Sequence, residues 1–392
     1  MRVLYSFPHK LGAERICYTA WQQVNGLAAA GADVLAFPGA LHKPVRLNVV
    51  VRPTLAWGKF RIPYKLLGTE RACALHDHIV AERLQNLVGS IDIIHVWPLG
   101  ALRTLRAAKR LGIPTVLERP NAHTRFAYEV VHQECQRLGV VLPRGHEHGF
   151  NEKKFQIEDE EFALADYLLC PSDFVRRTFI DRGYSPSKLL RHQYGFDENR
   201  YSPDVRVNAG RGLTMLFVGV GAVRKGLHFA LEAWLRSPAH HDGTFLVAGT
   251  ILDSYSDRLR EFLSHRSVQV LGHRNDVPEL MRRSDILVLP SLEEGSALVT
   301  SEARGSGCVL IVSDAAGAVC EHMENALVHQ AGDVPTLTKH ITMLHEDRGL
   351  LGRLRAASLS TVGDITWSAG GVRLLQVYRE VMNKWRSNSN VA

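Results

Sequence analysis

The chain has 392 residues, 45% of them hydrophobic, and this length is typical of two or three packed domains. Its 47 basic and 40 acidic residues leave a net charge of +7, a small excess for the length, and no nucleic-acid-binding motif accompanies it. The composition therefore excludes a disordered chain and does not indicate a nucleic-acid partner.

Six scattered cysteines contain no Cys-x-x-Cys pair. Cys170 and Cys308 lie in or beside apolar runs, which predicts buried thiols in a reducing compartment. The amino-terminal stretch lacks the apolar region of a signal peptide, and no apolar run is long enough to span a bilayer. We therefore expect a cytoplasmic protein.

The first half of the chain alternates apolar strands with helical patterns, which predicts a parallel sheet covered by helices on both faces. A strand at residues 2–7 is expected to end before Pro8, and Gly12 then turns the chain into a helix that ends at Gly31. Further strands are predicted at residues 32–37, 91–97, 113–118 and 167–171. Ligands of such sheets bind beyond the carboxyl ends of the strands.

Residues 52–65 carry four cations and no acid, with Trp57, Phe60 and Tyr64 between them. This composition suits contact with a membrane surface or an acceptor. The segment also contains the helix breakers Pro53, Gly58 and Pro63, which are typical of a plain surface loop. Both interpretations stay open, so peripheral membrane association through this segment is a hypothesis.

Histidines follow the predicted strand at 113–118. His123 lies at its carboxyl edge, and Thr124 is expected to cap a helix that begins at Arg125. His146 and His148 have glycines on both sides, and metal-binding pairs on helices need a spacing of about four residues. These two histidines are therefore interpreted as part of a mobile polar loop.

A second alternation of strands and helices predicts strands at residues 214–218, 244–248, 268–271, 286–289, 308–312 and 326–329. The first strand leads into GVGAVRKGL, where Gly219 and Gly221 begin a G-x-G pattern but Arg224 occupies the third glycine position. The dinucleotide-binding fingerprint therefore fails. Lys225 precedes Gly226, so the turn is not a phosphate-binding P-loop either.

Residues 289–314 are predicted to contain a strand end, a Pro-Ser turn, a helix and a new strand. Glu294 and Glu302 bracket seven residues, which places the first in the loop at the helix N-terminus and the second about two turns along. A helix N-terminus offers N–H groups and a partial positive charge that suit a phosphate. One segment could therefore hold a sugar hydroxyl, a ribose and a diphosphate.

This segment, PSLEEGSALVTSEARG, resembles the signature of the family 4 retaining glycosyltransferases, which have the GT-B fold. The resemblance implies an α/β protein with two facing Rossmann-like domains, parallel sheets and a deep interdomain cleft. It implies an acceptor domain at residues 1–203, a nucleotide-sugar domain at 204–368, a linker at 204–211, and a C-terminal helix at 369–385 that returns to the first domain.

The resemblance also implies roles for the charged residues. By this correspondence Glu294 contacts the donor sugar and Glu302 the ribose hydroxyls. The turn containing Lys225 resembles the family's diphosphate-gripping turn, although Val220 stands where the family has an arginine. Arg224 is expected to supply that second cation, because a departing diphosphate needs positive charge.

Further roles follow from the same resemblance. Gly12 approaches the donor phosphate and His123 lies against the donor sugar. His273 contacts the base, and the N–H groups of Ala297 and Leu298 reach the phosphate. The neighbours of His123, namely Glu118, Arg119 and Asn121, shape the acceptor pocket.

The resemblance predicts transfer of a sugar from a nucleoside-diphosphate sugar to an acceptor hydroxyl in polysaccharide or glycolipid synthesis. UDP is preferred as the nucleotide, with GDP and ADP open, and the acceptor is a glycan, a glycolipid or a small molecule. The sequence contains no Asp-x-Asp, consistent with no divalent metal and no other cofactor. Two alternatives stay open: a catalytically silent nucleotide-sugar-binding partner, suggested by Val220 and Ala297, and a nucleotide-sugar epimerase or phosphorylase on the same fold.

Overall fold

The computed structural model describes residues 1–57, 60–62, 67–143, 145–146, 148–203 and 212–389. The predicted linker, residues 204–211, lies outside the described residues. So do residues 58–59 and 63–66 of the segment proposed to contact membranes.

Strands and helices alternate along most of the described chain. In chain order the strands are β1 (Arg2–Leu11), β2 (Asp33–Leu41), β3 (Val49–Val51), β4 (Ala56–Trp57), β5 (Phe60–Arg61), β6 (Ile93–Val96), β7 (Thr115–Glu118), β8 (Tyr167–Cys170), β9 (Leu189–Arg191), β10 (Thr214–Val218), β11 (Thr244–Ala248), β12 (Val268–Gly272), β13 (Ile286–Leu289), β14 (Val309–Ser313) and β15 (Ala326–His329). The helices are α1 (Ile16–Ala29), α2 (Thr69–Leu84), α3 (Leu102–Leu111), α4 (Thr124–Leu138), α5 (Glu152–Leu164), α6 (Asp173–Ile180), α7 (Leu227–Arg236), α8 (Asp253–Leu263), α9 (Val277–Arg283), α10 (Leu298–Gly305), α11 (Val334–Glu346), α12 (Arg348–Ser360) and α13 (Trp367–Ser389).

These elements form two compact units, each with its own parallel sheet. The first unit comprises residues 1–120, 151–194 and 367–392, and its sheet has the strand order β3-β2-β1-β6-β7-β8-β9. The second unit comprises residues 121–150 and 195–366, and its sheet has the order β12-β11-β10-β13-β14-β15. In both sheets the order reverses direction beside the first strand, as in doubly wound α/β folds, where ligands bind at that reversal.

The strand β1 is longer than the sequence predicted, because it continues through Pro8 to Leu11. Its pairing with β2 shifts register between Phe7 and Lys10. Pro8 lies within this irregularity, where a residue without an N–H interrupts the ladder least. The expectation that Pro8 ends the strand is therefore wrong.

Helices α1 and α13 pack closely in the first unit. A Cβ atom added to Gly371 would lie 2.6 Å from the Cα of Gly26, so the two backbones meet without side chains between them. Further along α13, the Tyr378 hydroxyl and His95 Nδ1 share a buried hydrogen bond of 2.5 Å. This contact ties the helix to strand β6.

Residues 121–150 belong to the second unit, whereas the sequence analysis assigned residues 1–203 to one domain. Helix α4 contributes Val131 and Cys135 to the hydrophobic core around β10 and β13. Its Glu134 Oε1 lies 2.8 Å from Nε2 of His228 on α7. Packing of these buried side chains groups the segment with the second unit.

The cysteines are all free thiols. Four of them, Cys73, Cys135, Cys170 and Cys308, are buried, which confirms the burial predicted for Cys170 and Cys308.

The glycine contact between α1 and α13 gives a test of the fold. We expect Gly371→Ala to destabilise the protein by about 1–3 kcal/mol, because the new methyl group has no space. The matched control is Gly352→Ala on α12, where a Cβ atom meets nothing within 4 Å. That change should stabilise by about 0.5–1 kcal/mol through helix propensity. The measurement is the thermal unfolding midpoint, and a shift of the same sign in both variants would contradict the close packing.

Candidate functional site

Two loops meet at the carboxyl edge of the second sheet, where strands β10 and β13 are neighbours. The loop after β10 contains a 3-10 turn at Val223–Lys225, followed by Gly226 with φ of 67°. A Cβ atom on Gly226 would lie 2.0 Å from the carbonyl oxygen of Pro290 in the loop after β13. Glycine is therefore required here, both by the left-handed backbone and by the approach of the second loop.

The same two loops are joined by a backbone hydrogen bond, in which the Leu292 N–H donates to the Arg224 carbonyl at 2.8 Å. This bond lies between Arg224 and Lys225 on one loop and Glu293 and Glu294 on the other. Two cations and two carboxylates are thereby gathered at one place, which we call the ion cluster.

Glu294 is the centre of the ion cluster and is 6% exposed. Its Oε1 lies 2.9 Å from Arg224 Nη1, forms an ion pair with Lys225 Nζ, and is 3.5 Å from Ser291 Oγ. Burial alone would raise the pKa of Glu294, but the positive charges of Arg224 and Lys225 outweigh it and hold the pKa at about 2. The carboxylate is therefore ionised and a weak base.

Lys225 and Arg224 are less deeply buried than the carboxylate they contact. Burial lowers the pKa of Lys225, and the neighbouring Glu294 opposes that shift. The side chains of Lys225 and Arg224 keep 13% and 19% of their surface exposed. Neither side chain is fully enclosed, and an ammonium beside a guanidinium is a combination that binds phosphate.

His148 extends the ion cluster through Glu293, and neither residue was predicted from the sequence. Glu293 is 1% exposed; its Oε1 lies 2.8 Å from His148 Nε2 and 3.6 Å from Arg224 Nη1. Arg224 Nη1 also donates to the Glu293 carbonyl at 3.3 Å. His148 was interpreted as part of a mobile loop, but its side chain is largely buried against Glu293. No spacing rule links residues that are 145 positions apart.

Glu302 lies on α10, two turns along from the ion cluster, in a different environment. Burial raises its pKa to about 7, opposed by a hydrogen bond from Tyr201 and by the charge of Arg200. Tyr201 is itself buried. Helix α10 is held close to the Tyr201 segment at Gly305, where an added Cβ atom would lie 2.2 Å from the ring of Phe196.

His123 caps the N-terminus of helix α4, a role that the sequence predicted for Thr124. Helix α4 begins at Thr124, and His123 is its N-cap: the ring Nδ1 accepts a hydrogen bond from the Arg125 N–H at 3.3 Å. The expectation that Thr124 caps a helix beginning at Arg125 is wrong, because the acceptor comes from the preceding side chain. With Nδ1 as acceptor, a neutral ring carries its proton on Nε2. The catalytic role of His123 stays a prediction.

Ala297 and Leu298 lie where helix α10 begins. The Ala297 N–H donates to the Ala316 carbonyl at 3.2 Å, and its phosphate-binding role stays a prediction. Leu298 is the first residue of α10. Its N–H is among the groups that a helix leaves without an internal acceptor.

Gly12 and His273 follow strands in different units. Gly12 follows β1 with φ of 88°, and a Cβ atom there would lie 2.7 Å from Lys43 Cβ, so packing alone already requires glycine. His273 follows β12 and is exposed. Their donor-binding roles stay predictions.

Glu118 and Arg119, expected to shape an acceptor pocket, are buried inside the first unit. Glu118 accepts hydrogen bonds from Gln23 at 2.9 Å and from Tyr194 at 3.0 Å, and contacts His192 Nε2 at 2.8 Å. Burial would raise the pKa of Glu118, but the imidazoles of His192 and His95 and the hydrogen bonds hold this pKa below its usual value. These contacts join the end of β7 to helix α1 and to the segment that follows β9.

In the part of the chain that the structure describes, no group of three or more His, Cys, Asp and Glu residues could hold a metal ion. Among those same residues, no helix has the length and apolar character needed to cross a bilayer.

Residues 212–347 match the family described as glycosyl transferases group 1. Over this segment the chain is similar to the group 1 glycosyltransferases. The matched segment contains the ion cluster except His148, and it also contains Glu302.

Known proteins similar to this chain include the lipopolysaccharide glucosyltransferase WaaG of Escherichia coli K12, which is 28% identical over 40% of the chain and 38% of WaaG. A D-inositol 3-phosphate glycosyltransferase of Geodermatophilus obscurus is 28% identical over 62% of the chain and 58% of its own length. An Escherichia coli UDP-Gal:alpha-D-GlcNAc-diphosphoundecaprenol alpha-1,3-galactosyltransferase is 32% identical over 45% and 49%. The chain thus spans less than two thirds of each of these relatives.

Solved structures extend the similarity to nearly the whole fold. Sucrose-phosphate synthase from Thermosynechococcus elongatus superposes with a TM-score of 0.66 at 17% identity, covering 98% of this chain and 99% of the synthase. Anabaena HepE in complex with UDP-glucose gives a TM-score of 0.63 at 16% identity over 98% and 100%. The fold is therefore GT-B, as the sequence predicted.

The raised pKa of Glu302 predicts a pH dependence of stability. Its folded-state pKa of about 7 lies above the ordinary value of 4.5, so the folded protein binds this proton more tightly than the unfolded chain does. The stabilisation is complete below pH 4.5 and is lost as pH rises toward 7. The difference in unfolding free energy between wild type and Glu302→Gln should therefore change steadily from pH 4.5 to 7, in disfavour of the wild type.

Urea denaturation at half-unit pH intervals measures this difference. Tyr201→Phe removes a hydrogen bond that favours the carboxylate and should move the upper limit of the pH window higher. Parallel stability curves for wild type and Glu302→Gln would show that Glu302 has an ordinary pKa.

Proposed function

We propose that this protein transfers a sugar from a nucleoside-diphosphate sugar to an acceptor hydroxyl, with retention of anomeric configuration. The observation that carries the proposal is the convergence of Arg224 and Lys225 on Glu294 at the carboxyl edge of the second sheet. A nucleoside diphosphate leaves as an anion, and a guanidinium beside an ammonium stabilises that charge as it develops. On this proposal the two cations act in place of a divalent metal, and no other cofactor takes part.

The ion cluster supports an exchange of partners on donor binding. The diphosphate competes with Glu294 for Arg224 and Lys225, since both cations keep exposed surface. Glu294 is then released to accept a hydroxyl of the donor sugar. Glu302 accepts the ribose hydroxyls, and Leu298 offers its N–H to the phosphate. Gly12, His123 and His273 complete the proposed donor contacts.

The low pKa of Glu294 bears on the mechanism. Before the donor binds, Glu294 has a pKa of about 2 and is a poor proton acceptor; after the exchange of partners, its carboxylate accepts a hydroxyl of the donor sugar. These properties favour front-side attack, in which the departing phosphate accepts the proton of the acceptor hydroxyl. They disfavour a covalent intermediate on Glu294.

Donor and acceptor are proposed from the relatives. HepE is described in complexes with UDP and UDP-glucose, and the name of one Escherichia coli relative specifies UDP-Gal, which supports UDP over GDP or ADP. The names of two relatives specify lipopolysaccharide and a diphosphoundecaprenol-linked sugar. We therefore propose a glycan or glycolipid acceptor in bacterial polysaccharide or glycolipid synthesis, in the cytoplasm, with peripheral membrane contact through residues 52–65.

The direct test is a calorimetric and thermal-shift panel of UDP, GDP, ADP and their common sugar conjugates in the presence of EDTA, because a ligand that binds the native state raises its unfolding temperature. Stabilisation by one nucleotide in EDTA, with release of that nucleotide from its sugar conjugate, is the expected result. Binding without release would favour the silent binding partner, and conversion of the sugar without an acceptor would favour the epimerase. Binding of none of the nucleotides would contradict the proposal.

Lys225→Met should lower turnover about 100-fold and weaken UDP binding about tenfold, since it removes a charge aimed at the leaving diphosphate while keeping the aliphatic stem. The matched control is Lys339→Met, which removes an exposed lysine from α11 in the same unit. Initial rates of UDP release from UDP-glucose and titration calorimetry with UDP measure the two effects. Equal rates in wild type and Lys225→Met would remove Lys225 from the proposed mechanism.

A further inference from the structure

Arg224 is not at the position where the family resemblance expects its arginine. Val220 occupies that position and is 45% exposed, whereas Arg224 projects from the 3-10 turn four residues later. An arginine has several rotatable bonds, and holding it in one geometry costs side-chain entropy. An arginine at position 224 instead of position 220 therefore needs contacts that fix its guanidinium.

The structure supplies those contacts from Glu293. Arg224 Nη1 lies 3.3 Å from the Glu293 carbonyl oxygen and 3.6 Å from its Oε1. Glu293 is 1% exposed, and its own Oε1 lies 2.8 Å from His148 Nε2. Glu294 also contacts Arg224, but in the proposed function Glu294 is the carboxylate that changes partner. Glu293 is the contact that stays.

The charges of the ion cluster support these different roles for Glu293 and Glu294. Its two cations face two carboxylates, so the arrangement is balanced before any ligand arrives. A buried carboxylate without a partner is costly, and His148 with Arg224 gives Glu293 one on each side. Glu293 can therefore stay in place while a diphosphate displaces Glu294 from the cations.

We propose that Glu293 and His148 are positioning residues for Arg224: His148 orients the Glu293 carboxylate, and Glu293 holds the guanidinium where the diphosphate of the donor binds. This inference rests on the proposed glycosyltransferase function. It adds two residues, one of them from the segment between α4 and α5, to the set that determines turnover.

The test separates positioning from simple folding support. Glu293→Ala should lower the rate of UDP release from UDP-glucose about tenfold and change the Kd for UDP less than threefold, because loss of the anchor is offset by one more net positive charge in the cluster. Glu293→Gln keeps the size of the side chain and an oxygen that can accept from His148 Nε2, and it should recover part of the rate. His148→Ala should lower the rate several-fold, and His148→Gln, which retains an N–H donor, should restore it. The matched control is Glu261→Ala on α8, an exposed position.

The deciding measurement is a double-mutant cycle. If Glu293 acts through Arg224, then Glu293→Ala should lower the rate less than twofold in the Arg224→Ala background. Additive effects, or parallel losses of UDP affinity and rate in Glu293→Ala, would overturn the positioning role. These outcomes are distinct from failure of the proposed function, in which the wild-type protein itself binds no nucleoside diphosphate and both proposals fall.

Discussion

An ionised carboxylate inside a protein is stable only when positive charge and hydrogen bonds replace the water it has lost. Glu294 meets this condition through Arg224 and Lys225, and the surrounding backbone is arranged to permit it. Gly226 allows the two loops to approach each other closely, and the hydrogen bond from the Leu292 N–H to the Arg224 carbonyl joins them. The position of the ion cluster at the edge of two adjacent parallel strands then follows from the sheet itself.

Two glutamates of one short segment have pKa values shifted in opposite directions, because their surroundings differ in charge. Glu294 is buried beside two cations, and its pKa is held at about 2. Glu302 is partly buried beside the Tyr201 hydroxyl and near Arg200, and desolvation raises its pKa to about 7. Desolvation raises both pKa values, and the two cations that contact Glu294 reverse its effect there.

Most of the second sheet could be predicted from the sequence, because continuous apolar runs bounded by glycines mark buried parallel strands. The strands predicted at residues 214–218, 244–248 and 286–289 are confirmed as β10, β11 and β13. Motif spacing also located Arg224, Lys225 and Glu294. The contact between His148 and Glu293 could not be predicted, since it joins residues far apart in the chain by side-chain geometry alone. The N-cap of α4 was missed for a related reason: a histidine ring nitrogen, not the hydroxyl of Thr124, accepts the hydrogen bond.

Because helix α13 completes the hydrophobic core around β1, folding of the first unit depends on the order in which the chain is synthesised. Residues of α13, including Leu374, Tyr378 and Val381, share one hydrophobic core with Val3 and Tyr5 of β1. The second unit, by contrast, draws all its residues from positions 121–366. During translation β1 is made before α13 and lacks that part of its core until α13 follows, whereas the second unit, encoded between them, already has all of its residues. Chaperones that shield apolar surface on nascent chains would have the longest opportunity to act on the first sheet.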